Sequence, residues 1–225
     1  VSRIENAKMW ILGTLTRYTQ PVFVSREDPN SRQNTIKEIK RRAQTNGAWP
    51  QIIIFPEGTC TNRKCLITFK PGAFYPAVPV QPVCIRYPNK LDTFTWTWEG
   101  PTAFQVLWYS LCQFHNRLEV EYLPVYYPSE EEQNDPKLYG ENVRRVMAKA
   151  LGVPVTDHTY EDCRLMNYAA KLDMPAAAGL VEFNKIGKKL GMTLDTIKEH
   201  LERFCSVAQR EGDSQGAITL QQFAA

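Results

Sequence analysis

No segment of this 225-residue chain reaches the ~18 consecutive apolar residues of a membrane-spanning helix. The formal net charge is only +3, too small to argue for nucleic acid, though it suits anionic ligands gathered at one place. None of the six cysteines (Cys60, Cys65, Cys84, Cys112, Cys163, Cys205) forms a C-x-x-C pair, and their spacing fits no zinc pattern. They read as reduced thiols of a cytosol-facing protein, some of them in the core. No glycine-rich fingerprint supports a generic nucleotide-binding domain. The sequence given shows neither an initiating methionine nor a signal-peptide pattern. The chain opens mid-sequence at Val1-Ser2-Arg3 and is read as a fragment. With 43% hydrophobic and 23% charged residues, it can bury the core of one large domain, or of one and a piece.

The stretch with the most chemistry is Gln51 to Arg63, QIIIFPEGTCTNR. Ile52, Ile53 and Ile54 read as a strand buried on both faces, ending in Phe55-Pro56-Glu57-Gly58-Thr59. In open α/β sheets, ligands bind at such carboxyl ends. Glu57 fits a general acid or base, a hydroxyl-binding carboxylate or a helix N-cap. Thr59 and Thr61 fit either substrate bonding or capping. Gly58 permits close approach of backbone to ligand. Arg63 offers a two-pronged fork suited to phosphate. The residues alone describe an anion-binding loop, with a plain structural turn as the competing reading.

Strands and helices interleave around this stretch, which predicts an α/β layer fold. Residues 8 to 20 read as a helix stopped by Pro21, and Val22-Phe23-Val24-Ser25 as a short strand before Arg26. A helix follows Asn30-Ser31, with Lys37, Lys40, Arg41 and Arg42 on a solvated face, and ends at Asn46-Gly47. Val80 to Tyr87 reads as a strand, irregular near Pro82. Thr93 to Trp98 and Leu118 to Leu123 alternate as further strands. Phe104 to Phe114 (FQVLWYSLCQF) reads first as a buried helix, and second as a monotopic face dipping into a bilayer. Asp135-Pro136 opens a helix that Gly152 closes. Thr159 with Asp162 resembles a capping box. Past residue 155 only helical patterns remain, so the domains are read as 1–155 and 156–225.

The order of these motifs resembles the glycerophospholipid acyltransferase family. Phe23-Val24-Ser25-Arg26 looks like its second motif, Phe55 to Thr59 like its third, and Val78 to Val83 like its fourth. Glu57-Gly58-Thr59-Cys60-Thr61-Asn62-Arg63, Asn89 to Thr93, Thr95 to Trp98 and Val155 to Cys163 are similar to the lysophosphatidylcholine acyltransferase branch. The resemblance implies a central sheet flanked by helices, followed by a small all-helical region. It implies an enzyme that moves an acyl or acetyl group to the sn-2 hydroxyl of lysophosphatidylcholine or lyso-platelet-activating factor, in phospholipid remodelling. Acyl-CoA or acetyl-CoA is then a co-substrate and no cofactor is expected. The partners are lysophospholipid, acyl-CoA and a membrane surface, without nucleic acid. The location implied is the cytosolic face of the endoplasmic reticulum membrane, with Golgi and lipid droplets as further sites. Arg26, Phe55, Pro56, Glu57, Gly58, Thr59, Cys60, Asn62 and Arg63 would line the acceptor site. Arg26 and Arg63 would neutralise phosphate, and Lys70 would add charge for phosphate or CoA.

The family's first motif, His-x-x-x-x-Asp, supplies the general base and its orienting carboxylate. Five positions after His115, His158 and His200 stand Val120, Cys163 and Cys205, so no catalytic residue is assigned within this chain. The dyad is expected upstream of Val1, and the chain by itself is expected to be inactive. The alternative is a truncated, non-catalytic lipid- or partner-binding module. Glu211 to Gln222 lies over a calcium-loop pattern. Glu211 stands at its first position and Gln222 where a bidentate glutamate is needed. It reads as a degenerate EF-hand-like loop, with calcium unlikely and no metal site assigned.

Overall fold

The computed structural model describes residues 2–3, 7, 13–14, 17–24, 30–45, 47–95, 100–171, 186–187 and 189–210. They fall into two compact units, one within residues 1–96 and 102–156, the other within 97–101 and 157–225. In the first unit β1 (Ser2–Arg3) runs parallel to β2 (Phe23–Val24), pairing Ser2 with Phe23 and Arg3 with Val24. Helix α1 (Ser31–Ala43) follows, and later a 3-10 turn at Pro71–Ala73. Strand β3 (Val83–Arg86), helix α2 (Ala103–Leu111) and β4 (Glu119–Tyr122) come next, with β3 and β4 antiparallel. Helices α3 (Glu130–Asn134) and α4 (Pro136–Leu151) complete this unit. The second unit holds α5 (Tyr160–Lys171) and α6 (Leu194–Arg210).

Helices beside short sheets fit the α/β class, but one central sheet is not what the described residues build. They form two separate two-stranded sheets. The doubly buried strand expected at Ile52–Ile54 is corrected: no ladder runs along these residues, and Ile53 and Phe55 are 74% and 70% exposed. β-Branched residues suit a strand but do not make one, because a strand exists only where a neighbour pairs along it. Thr93–Thr95 also form no strand. They fold onto Asp92, whose carboxylate accepts the N–H groups of Phe94 at 3.2 Å and Thr95 at 2.9 Å, and such local bonding competes with ladder formation. The basic side of α1 is not wholly solvated either. Arg42 is held by Glu38 at 2.7 Å and lies 4.3 Å over the Trp49 ring, so its stem and charge pack locally. The expected calcium-like loop, 211–222, lies outside the described residues.

The strongest local signals behave as their chemistry dictates. The Asp135 side chain accepts the N–H groups of Lys137 at 2.9 Å and Leu138 at 3.3 Å. Pro136 opens α4, and Gly152 ends it at φ +70°. Thr159 and Asp162 cap α5 reciprocally. The stripe of α4 buries Tyr139, Val143 and Ala148 against Leu66, Phe69 and Phe74. Phe74 meets Tyr139 edge-on at 5.0 Å and Phe69 face-on at 6.4 Å. Gly140 makes this possible, because a Cβ there would stand 2.9 Å from the Phe74 ring. The fully buried Tyr139 hydroxyl donates to the Val78 carbonyl at 2.8 Å. Phe74→Ala therefore removes the ring at the centre of this cluster. We predict a loss of about 3–5 kcal/mol, read as a lower urea midpoint at unchanged m-value.

Candidate functional site

The loop at Phe55–Lys70 is held by its own backbone. The Gly58 N–H donates to the Phe55 carbonyl at 3.1 Å, and the Lys70 N–H to the Pro56 carbonyl at 2.8 Å. Gly58 sits at φ +69°, where a side chain is strained. A Cβ there would also lie 3.0 Å from Lys70 Cε, so the Lys70 stem lies directly over the glycine. The competing reading of this stretch as a turn is therefore correct for its backbone, and the turn is what brings Glu57, Gly58 and Lys70 together.

Glu57 is half-buried, and its Oε2 accepts the Ile67 N–H at 3.2 Å. Burial pushes its carboxyl above the ordinary glutamate range. The Ile67 bond and the positive charge of Arg144 pull the other way without cancelling that rise. Ile67 is placed by its neighbour. The Leu66 N–H donates to the Pro154 carbonyl at 3.0 Å, and the Leu66 carbonyl accepts the Thr156 N–H at 3.0 Å. Arg144, only 3% exposed, secures that partner segment from α4. Its Nη1 donates to the Thr156 carbonyl at 2.7 Å, and its Nη2 pairs with Glu141 at 2.6 Å.

Arg63 turns to a second cluster. Its backbone is left-handed at φ +63°. Its Nη2 donates to Thr95 Oγ1 at 2.7 Å and pairs with Asp92 Oδ2, and its guanidinium carbon lies 5.3 Å from the Tyr87 ring centroid. Tyr87 in turn stacks on Phe94 at 4.6 Å. Burial raises the Asp92 carboxyl. The hydrogen bonds from the Thr95 hydroxyl and N–H, from Arg63 and from the Phe94 N–H outweigh that and hold it at about 2. Asp92 is thus ionised throughout the physiological range and fixes Arg63 in one orientation.

The other expected site residues are placed as follows. Thr59 is half-buried and Cys60 carries an exposed free thiol. Asn62 folds onto its own loop, its Oδ1 accepting the Lys64 N–H at 3.1 Å. Arg26 lies outside the described residues. Among the described residues no group of three or more His, Cys, Asp or Glu side chains is arranged to hold a metal ion. Sequence reasoning missed Tyr87, Asp92, Thr95 and Arg144 as supports of the site. Asp92-Thr93-Phe94-Thr95 carried a readable signal, an aspartate followed by residues whose N–H groups it captures. Arg144 carried none, because its role depends on which face of α4 is buried.

The folded-state value of Glu57 lies above its unfolded one. Its contribution to stability is therefore complete below the ordinary glutamate range and is lost as pH rises through the raised value. Glu57→Gln keeps an acceptor for the Ile67 N–H but cannot ionise. Thermal melts are expected to show the variant at least as stable as the parent at neutral pH, with the difference vanishing in acid. A variant less stable at neutral pH would contradict this account of Glu57.

The family described as Acyltransferase matches residues 1–86, which run from β1 to the end of β3. Lysophosphatidylcholine acyltransferase 1 of Homo sapiens is 57% identical over 225 residues, covering 100% of this chain and 42% of the relative. Lysophosphatidylcholine acyltransferase 2 of Mus musculus is 58% identical over 224 residues, covering 100% of this chain and 41% of the relative. The Rattus norvegicus form of the latter is 61% identical over 208 residues, 92% of this chain and 38% of the relative. These identities do not separate the two relatives. The chain spans about two fifths of the length of the curated relatives it matches. No solved structure matches it. The chain thus carries the Acyltransferase family's segment over residues 1–86, which holds Glu57 and Arg63, and is similar along its whole length to the lysophosphatidylcholine acyltransferases.

Proposed function

We propose that this chain forms the acceptor-holding part of an acyltransferase. That enzyme moves an acyl group from acyl-CoA, or an acetyl group from acetyl-CoA, to the sn-2 hydroxyl of a lysophospholipid. The observation that carries the reading is that one family-matched segment holds both a half-buried Glu57, fixed by the Ile67 N–H, and an Arg63 oriented by Asp92. The names of the relatives supply the lysophosphatidylcholine acceptor, and lyso-platelet-activating factor is the acetyl acceptor in the same reading.

The chemistry divides into positioning and charge. Arg63 uses Nη2 on Asp92 and Thr95, and among the described residues its Nε and Nη1 groups have no acceptor. That edge of the fork suits a lipid phosphate, and Lys70 beside Gly58 adds a second cation for phosphate or CoA. Arg26 joins Arg63 in neutralising the phosphate, while Glu57 and the loop Phe55–Asn62 hold the glycerol portion so that its hydroxyl faces the thioester. The base that takes the hydroxyl proton is the histidine of the family's His-x-x-x-x-Asp motif, a spacing that none of the three histidines here provides. That absence favours one second reading, a non-catalytic module that binds lipid or a partner. The setting we propose is the cytosolic face of the endoplasmic reticulum membrane, with lipid droplets and Golgi as further sites.

The test is transfer of labelled acyl groups to lysophosphatidylcholine and, separately, to lysophosphatidic acid. It uses the chain joined to a dyad-bearing upstream segment of the family. Arg63→Ala is expected to raise KM for the lysolipid about 10- to 100-fold, the equivalent of one lost charge-assisted contact, with a smaller change in kcat. Equal loss with a neutral acceptor lacking phosphate would remove Arg63 from the headgroup site. Lipid binding without any transfer by the joined chain would favour the non-catalytic module.

A further inference from the structure

Helix α2 carries its apolar stripe on the outside. Phe104, Leu107, Trp108 and Leu111 follow the i, i+3, i+4, i+7 spacing, which places them within about 100° of the helix circumference. A helix of a soluble domain normally turns such a stripe to the core. Here these four residues are 74%, 56%, 59% and 71% exposed, and Phe114 just beyond the helix is fully exposed. The expectation of a buried helix is thus overturned.

The opposite face explains how. Val106, Ser110 and Gln113 are the half-buried positions, and Ser110 Oγ lies 3.0 Å from the Thr93 carbonyl and 2.8 Å from that of Val106. The helix is well made, with a capping box between Thr102 and Gln105 at its start. It is therefore docked through its small and polar side while its large apolar side stays free.

The occupant of that side follows from composition, length and place. The 9 residues of α2 include no charge, and the helix is about 14 Å long, so it cannot cross a hydrocarbon layer of about 30 Å. Tryptophan and phenylalanine at the edge of an uncharged stripe suit the boundary between headgroups and acyl chains. The exposed Arg117 beyond the helix suits the phosphate level. Thr93, to which Ser110 binds, adjoins Asp92, whose carboxylate holds Arg63. The stripe is thus joined by one hydrogen bond to the segment that orients the proposed phosphate-binding arginine.

We propose that α2 lies flat in the headgroup layer of a phospholipid bilayer, with Phe104, Leu107, Trp108, Leu111 and Phe114 in the acyl boundary, and that this seats the Arg63 cluster at the lipid surface. The seating rests on the lysophospholipid reading given above. The membrane face itself does not.

Co-sedimentation of the chain with phosphatidylcholine vesicles tests it, comparing the parent with Phe104→Ser/Trp108→Ser. Both side chains are exposed, so far-UV circular dichroism and melting temperature are expected to stay unchanged. Partition into vesicles is expected to fall more than about tenfold, the equivalent of two withdrawn aromatic rings. Quenching of Trp108 emission by lipids brominated on the acyl chain is expected in a variant whose other tryptophans are phenylalanine. Unchanged partition of the double variant overturns the proposal. So does light scattering that shows a dimer lost in the double variant without vesicle binding, since the face would then join two copies. So does Trp108 shielded from iodide before lipid is added, since another segment would then cover it. If partition falls as expected in the double variant while no lysolipid is acylated, the membrane face stands and the enzymatic reading fails.

Discussion

The first unit depends on a short parallel contact between residues far apart in the chain. The two backbone bonds of Leu66, with Pro154 and Thr156, join the end of the candidate loop to the segment that follows α4. The contact is small, but both of its sides are anchored. On one side Leu66 and Phe69 enter the aromatic cluster around Phe74 and Tyr139. On the other, Arg144 reaches from α4 to the Thr156 carbonyl. A guanidinium this deeply buried is tolerated only when it is paired, and Glu141 supplies the countercharge. The next residue after Leu66 offers its N–H to Glu57. The orientation of the candidate carboxylate is thus a consequence of core packing some ninety positions downstream in the chain.

The second half of the site is organised by a different force. Asp92, anchored by the N–H groups of Phe94 and Thr95, pins Arg63 against Tyr87. Both partners are partly open to water, so the pair adds little to global stability. Its effect is on entropy at the site. An arginine already held in one orientation loses less freedom when an anion arrives, and its planar fork keeps donors in reserve. The left-handed backbone at Gly58 and at Arg63 bends the loop between these two clusters. Gly58 takes that conformation without a Cβ penalty. Arg63 takes it under local strain, which surrounding contacts of this kind hold in place.

Much of the candidate loop was legible because it is local chemistry. The order Phe55-Pro56-Glu57-Gly58-Thr59, the caps at Asp135, Thr159 and Gly152, and the period-two pattern of β4 all express preferences of a few adjacent residues. The failures have a common cause. Three isoleucines in a row describe a side chain that prefers extended backbone, yet whether a ladder forms along them is set by neighbours that the run does not contain. The stripe of α2 describes an apolar face, yet periodicity is blind to which side of the helix meets the protein. Ser110 bonding to Thr93 decided that. The Asp92 clamp was missed although its turn was readable, because its partner Arg63 lies nearly thirty residues earlier.

The sequence by itself determined the likeness to the acyltransferases, the make-up of the candidate loop and the absence of a His-x-x-x-x-Asp spacing within this chain, because each is a matter of residue identity and short-range order. Tertiary structure alone decided how those residues are used. Burial raises Glu57, the clamp of Asp92 and Tyr87 aims Arg63, and docking through Ser110 turns the aromatic side of α2 outward. Solvation, charge pairing and the choice of a buried face arise only when distant segments meet, so no local reading of the chain contains them.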